Sequence, residues 1–148
     1  MFWDNKYSIL IFRLIVGGVF IFSAIAKIIQ PLGFAQDISN YQLFSQDIAF
    51  FSALILPWIE LLCGLSLISG IAIRGSSFLI SGMLIFFITI LIITLLQGKQ
   101  IDCGCFGFFS HPVSWSLVVQ DGVLFFLSLS IFFYSLKHSF WPKIKISH

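Results

Sequence analysis

The segment Asp102-Cys103-Gly104-Cys105-Phe106-Gly107 holds two thiols one residue apart, with glycine between them and again soon after. Paired thiols at such spacing point to thiol–disulfide chemistry, with Cys103 and Cys105 as the candidate catalytic residues. A disulfide needs its Cα atoms within about 4.4–6.8 Å. A local turn supplies that approach, and Gly104 permits the backbone angles such a turn requires. So small a ring is strained, and strained disulfides are the labile, oxidising ones. Either cysteine is a defensible attacking thiol. Lys99 and Lys27 favour thiolate whereas Asp102 opposes it, so the sign of their combined effect is open. Two other readings stand beside this one. The pair is a structural staple, or it contributes to a metal site, for which two thiolates plus His111 fall short of a closed tetrahedral set.

The elements that must position this loop follow from composition. Of 148 residues, 59% are hydrophobic and 9% charged, against about a quarter charged in soluble domains. Four apolar spans are expected, at about 8–29, 49–72, 76–96 and 115–136, each long enough to cross a ~30 Å hydrocarbon core as a helix. No period-two alternation supports a barrel. The first span is too long for a cleaved signal peptide and carries Arg13 and Lys27. The chain therefore reads as a single all-α polytopic membrane four-helix bundle, with a candidate redox loop over 97–114.

Flanking cations give an orientation. Lys6, Arg74, Lys137, Lys143 and Lys145 collect on one side, Lys27 and Lys99 on the other. The positive-inside rule then places both termini in the cytoplasm and the 30–48 and 97–114 loops outside, in the periplasm of a Gram-negative cell, where disulfides persist. The expected location is a bacterial inner membrane. The basic tail with Trp141 reads as a headgroup anchor. A net charge of +2 is accounted for by topology, so no nucleic-acid partner is implied.

Charges within the spans are few, and each is expected to have a partner or a function. Arg13, Gly17, Phe20, Ala24 and Lys27 fall on one face of the first helix; Pro57, Glu60, Cys63 and Gly64 share a side of the second. Arg13 either snorkels to the headgroups or pairs inward with Glu60. Glu60 is too deep to snorkel and needs an interior partner or a proton. Lys27 and Asp121 lie in the outer half, and form an ion pair or serve the redox loop directly. Cys63, mid-helix in an apolar run, reads as a small hydrophobe.

On these residues the chain resembles the MauE branch of the DoxX-like membrane proteins, named for methylamine utilisation. The DCGCFG hexapeptide at 102–107 is the specific feature. Arg13, Gly17, Phe20 and Lys27 precede it, then Pro31, Tyr41, Pro57, Glu60, Gly64 and Arg74; Trp115 and Asp121 follow, with Gln120 where a basic residue is expected. The resemblance implies a membrane protein working with an exported thioredoxin-fold partner, in support of maturation of a disulfide-rich periplasmic dehydrogenase subunit. At fold level only, it also implies an analogy with four-helix disulfide-generating enzymes that carry a quinone. Arg13, Lys27, Glu60, Asp102 and Asp121 are then the supporting residues around Cys103 and Cys105.

The reading is a membrane thiol–disulfide oxidoreductase or relay component. The alternative is a non-catalytic scaffold or chaperone for an exported protein, with the Cys103–Cys105 pair as a staple. The aromatic-rich interior admits a quinone cofactor, though phenylalanine abundance is equally plain membrane packing. Physiological substrate, direction of electron flow and oligomeric state are not legible in the sequence.

Overall fold

A chain that spans lipid has to satisfy its backbone within each segment. The four apolar stretches do this as long helices. The computed structural model describes residues 5–98 and 114–137, and contains α1 (Lys6–Ile29), α2 (Pro31–Asn40), α3 (Gln46–Ser69), α4 (Ile73–Leu96) and α5 (Trp115–Lys137). Helices α1, α3, α4 and α5 are each long and apolar enough to cross a membrane. At ~1.5 Å per residue a helix of this kind is about 36 Å long.

The distribution of side chains is inverted relative to a soluble protein. Large apolar residues lie outside on all four long helices, with Phe51 63%, Leu62 63%, Phe78 66% and Phe126 64% exposed. Polar groups lie inside: Ser23, Lys27, Glu60, Ser76, Ser77, Ser81, Thr94, Asp121 and Ser128 are all buried. Water would penalise this arrangement, whereas hydrocarbon favours it. The chain is an all-α integral membrane bundle.

Two antiparallel pairs build the bundle, α1 with α3 and α4 with α5. Small residues set each crossing. At Gly17 and Gly64 a Cβ on either residue would lie 3.0 Å from the other's carbonyl oxygen, so the two backbones touch. Between α4 and α5, Ser128 Oγ donates to the Ser77 carbonyl at 3.1 Å and lies 3.0 Å from Ser81 Oγ. An apolar core joins the pairs through Val16, Phe20, Cys63, Leu67, Ile80, Leu84, Leu124 and Ile131.

An arginine closes each pair at the end where α3 and α5 terminate. Arg13 of α1 donates from Nε to the Leu67 carbonyl (2.8 Å) and from Nη2 to that of Ile68 (3.3 Å). Arg74 of α4 donates from Nε and Nη2 to the Ser135 carbonyl at 3.2 and 3.0 Å. These carbonyls belong to last helical turns, which lack intrahelical donors and carry partial negative charge.

Two features depart from expectation. The second helix begins and ends three residues before the expected 49–72, because Gly70 (φ 84°) and Ala72 (φ 52°) adopt left-handed backbone and break the helix there. The segment read as an outer loop contains α2, started by Pro31 at its first position and packed mainly on α3. Asp102, Cys103 and Cys105, with Lys99 and His111, lie outside the described residues, as does the basic tail beyond Lys137.

Candidate functional site

Three charged side chains converge inside the bundle. Lys27 lies in the last turn of α1, Glu60 in the middle of α3 and Asp121 in the second turn of α5. They are 2%, 2% and 8% exposed. Lys27 Nζ donates to both carboxylate oxygens of Glu60, at 2.8 Å to Oε1 and 3.0 Å to Oε2. The two form a buried ion pair. The sequence alternatives of Lys27 with Asp121 and Arg13 with Glu60 are therefore replaced. Arg13 does not pair with Glu60; its guanidinium reaches the carbonyls at the end of α3.

Aromatic faces complete the ammonium's surroundings. Nζ lies 4.8 Å from the ring centroid of Phe34 in α2 and 5.3 Å from that of Phe87 in α4. Both are within cation–π range. Phe34 was not singled out by sequence reasoning. Its signal was Pro31, which marks a helix start and places Phe34 one turn later, over the end of α1.

Asp121 faces the same space without joining the pair. A cavity of about 40 Å³ is lined by Lys27, Glu60 and Asp121, with Ser23 as a further polar group. Val19 and Phe20 of α1, Leu84 and Phe87 of α4, and Leu124 of α5 form its apolar wall. This volume holds a few water molecules, at roughly 10–15 Å³ each on the same measure. The cavity lies between the middle of the bundle and the end from which the α4–α5 connection leaves, since Lys27 and Asp121 sit at that end of their helices.

Tyr41 and Asp37 lie near this end, outside the spans. Burial pushes the Tyr41 hydroxyl up to about 12, and the negative charges of Asp37 and Asp121 add to the shift. Cys63, one turn from Glu60, is 5% exposed and packed in the apolar core, as expected of a small hydrophobe.

A four-span bundle with a buried ammonium–carboxylate pair toward one end defines the class: a small integral membrane protein with charged groups in its interior. The chain matches the family described as methylamine utilisation protein MauE over residues 5–134, and it belongs to that family. The methylamine utilization protein MauE of Paracoccus denitrificans is 30% identical over 121 residues. The matched region is 80% of this chain and 65% of that relative, so the chain spans about two thirds of the relative's length. No solved structure matches.

Proposed function

We propose that the chain is the membrane component of a thiol–disulfide relay, with Cys103 and Cys105 as the working pair. The Cys103-Gly104-Cys105 spacing carries this reading. In sequence it falls between α4 and α5, whose ends at Leu96 and Trp115 lie on the Lys27 and Asp121 side of the bundle. The partner is an exported thioredoxin-fold protein. A thiolate of one pair attacks the disulfide of the other, forming a mixed disulfide. The second thiolate of the attacking pair then resolves it. Two electrons and two protons pass from the dithiol that is oxidised to the disulfide that is reduced.

The chain's place in the cell follows from the same reading. Lys6, Arg13, Arg74 and Lys137 gather at the end opposite the α4–α5 connection. By the positive-inside rule that end is cytoplasmic in a bacterial inner membrane, and the cysteine loop is periplasmic. Burial of Lys27 within the bundle removes it from the outer side's count and sharpens the asymmetry. Family membership supports a role in methylamine utilisation; under the proposed relay, that role is maturation of disulfide-bonded exported proteins.

The test is the redox state of Cys103 and Cys105 in cells. Acid quenching and alkylation mass tagging, in a Cys63→Ala background, are compared with and without the thioredoxin-fold partner. A mixed state that shifts with the partner is expected. A pair that stays oxidised, ignores the partner and resists mild reductant would make it a staple and the protein a scaffold.

A further inference from the structure

Lys27, Glu60 and Asp121 place one ammonium and two carboxyl groups around a single cavity buried in the bundle. With all three ionised, the site carries a net negative charge away from water. Such a charge is costly in a low-dielectric interior, and a buried group with access to a proton neutralises instead. The geometry decides which carboxyl does so. Both oxygens of Glu60 are already engaged, each accepting from Lys27 Nζ. Asp121 lies across the cavity, outside that pair.

We infer that the three residues form a proton-binding site, in which Asp121, the carboxyl outside the Lys27–Glu60 pair, holds one exchangeable proton through water in the cavity. The volume suits water, and Lys27, Glu60, Asp121 and Ser23 supply the polar partners a buried water needs. The neighbouring groups are accounted for. The wall contributed by α4, Leu84 and Phe87, has no titratable group. Cys63 of α3 lies close enough to feel the charge of Glu60. Beyond α2, Tyr41 feels those of Asp37 and Asp121. Among the described residues the remaining walls are apolar, and Lys27 is the cation that lines the cavity. This inference stands on described residues and holds whether or not the loop cysteines exchange.

Infrared spectroscopy of the full chain in lipid nanodiscs tests it without a mutation. Glu60 is the only glutamate of the chain, and the other aspartates are Asp4, Asp37, Asp47 and Asp102. At neutral pH, a carboxylic-acid C=O band is expected that moves in heavy water. It shifts when the aspartate side-chain carboxyls are isotope-labelled and stays put when those of glutamate are. Asp121→Asn then deletes the band. Glu60→Gln also deletes it, because Asp121 becomes the counter-ion of Lys27. Absence of any acid band, or one that shifts with labelled glutamate, would overturn the assignment. So would a band that persists in folded Asp121→Asn or unchanged in folded Glu60→Gln, fold being checked by circular dichroism and a monodisperse elution profile.

Discussion

Lys27 reaches Glu60 across an axial offset of about six residues, or ~9 Å at the rise of an α-helix. The contact between Gly17 and Gly64 fixes the antiparallel register of α1 and α3, and at that register Glu60 is level with Ile21. Helical side chains lean toward their own N-terminus. In antiparallel neighbours, Lys27 therefore leans inward from its helix end while Glu60 leans outward from mid-helix. The two long side chains close the gap. The pair is thus a consequence of where the glycines lock the helices.

Removing one member should be far worse than removing both. Breaking a buried ion pair leaves an uncompensated charge and costs about 3–5 kcal/mol, whereas an apolar replacement of the whole pair is often neutral. Lys27→Met should lower thermal stability in detergent strongly, and Glu60→Leu should lower it less, because Asp121 then serves as the counter-ion of Lys27. The double variant should recover most of the loss. A double variant whose loss equals the sum of the two single losses would mean that the pair contributes no coupling.

Much of this interior was legible in the sequence. Gly17, Phe20, Ala24 and Lys27 step at helical spacing, and all four are buried. So are Pro57, Glu60, Cys63 and Gly64 of α3. Sparse charges in an apolar chain have to face inward, so the site's membership could be read from periodicity. The pairing could not. It depends on the register at Gly17 and Gly64 and on Phe34 being brought over Lys27 by α2, a helix too short and polar to stand out from hydropathy. The partners of Arg13 were not legible for a related reason: they are main-chain carbonyls at the end of α3, which no residue type announces.

The two adjacent glycines of α1 should behave oppositely. At Gly17 an added Cβ would lie 2.6 Å from Ile68 Cγ1 and 3.0 Å from the Gly64 carbonyl oxygen, and backbone cannot yield cheaply. Gly17→Ala should destabilise by about 1–3 kcal/mol, as overpacking does. Gly64→Ala, whose Cβ meets Ile21 Cγ1 at 2.8 Å and the Gly17 carbonyl oxygen at 3.0 Å, should match it. Gly18 has nothing within 4 Å, so Gly18→Ala should gain about 0.5–1 kcal/mol from helix propensity alone. Thermal melts of the three single variants decide this, and a destabilised Gly18→Ala with a tolerated Gly17→Ala would refute the register.

Gly70 and Arg13 should be coupled. Gly70 sits at φ 84°, and an added Cβ would lie 2.7 Å from Arg13 Nη2. Gly70→Ala should cost about 1–2 kcal/mol for the left-handed backbone, plus the displacement of the guanidinium from the Leu67 and Ile68 carbonyls. Once Arg13→Ala has removed the guanidinium, only the backbone cost is left. A double-mutant cycle should therefore show Gly70→Ala as less damaging in the Arg13→Ala background. Strict additivity would place the guanidinium elsewhere.

Tyr41 gives a pH dependence whose direction follows from its surroundings. Its hydroxyl is pushed from the usual 10 up to about 12 by burial and by the charges of Asp37 and Asp121. The unfolded chain then loses this proton before the folded one does. Its contribution to stability is fully present below pH 10 and is lost as pH rises through about 12. Ultraviolet difference titration of the wild type against Tyr41→Phe should place the missing phenolate signal near the upper limit of that window. Tyr41→Phe should also be less sensitive to unfolding between those two values. Ionisation of Tyr41 near pH 10 would mean that its hydroxyl faces water, away from Asp121.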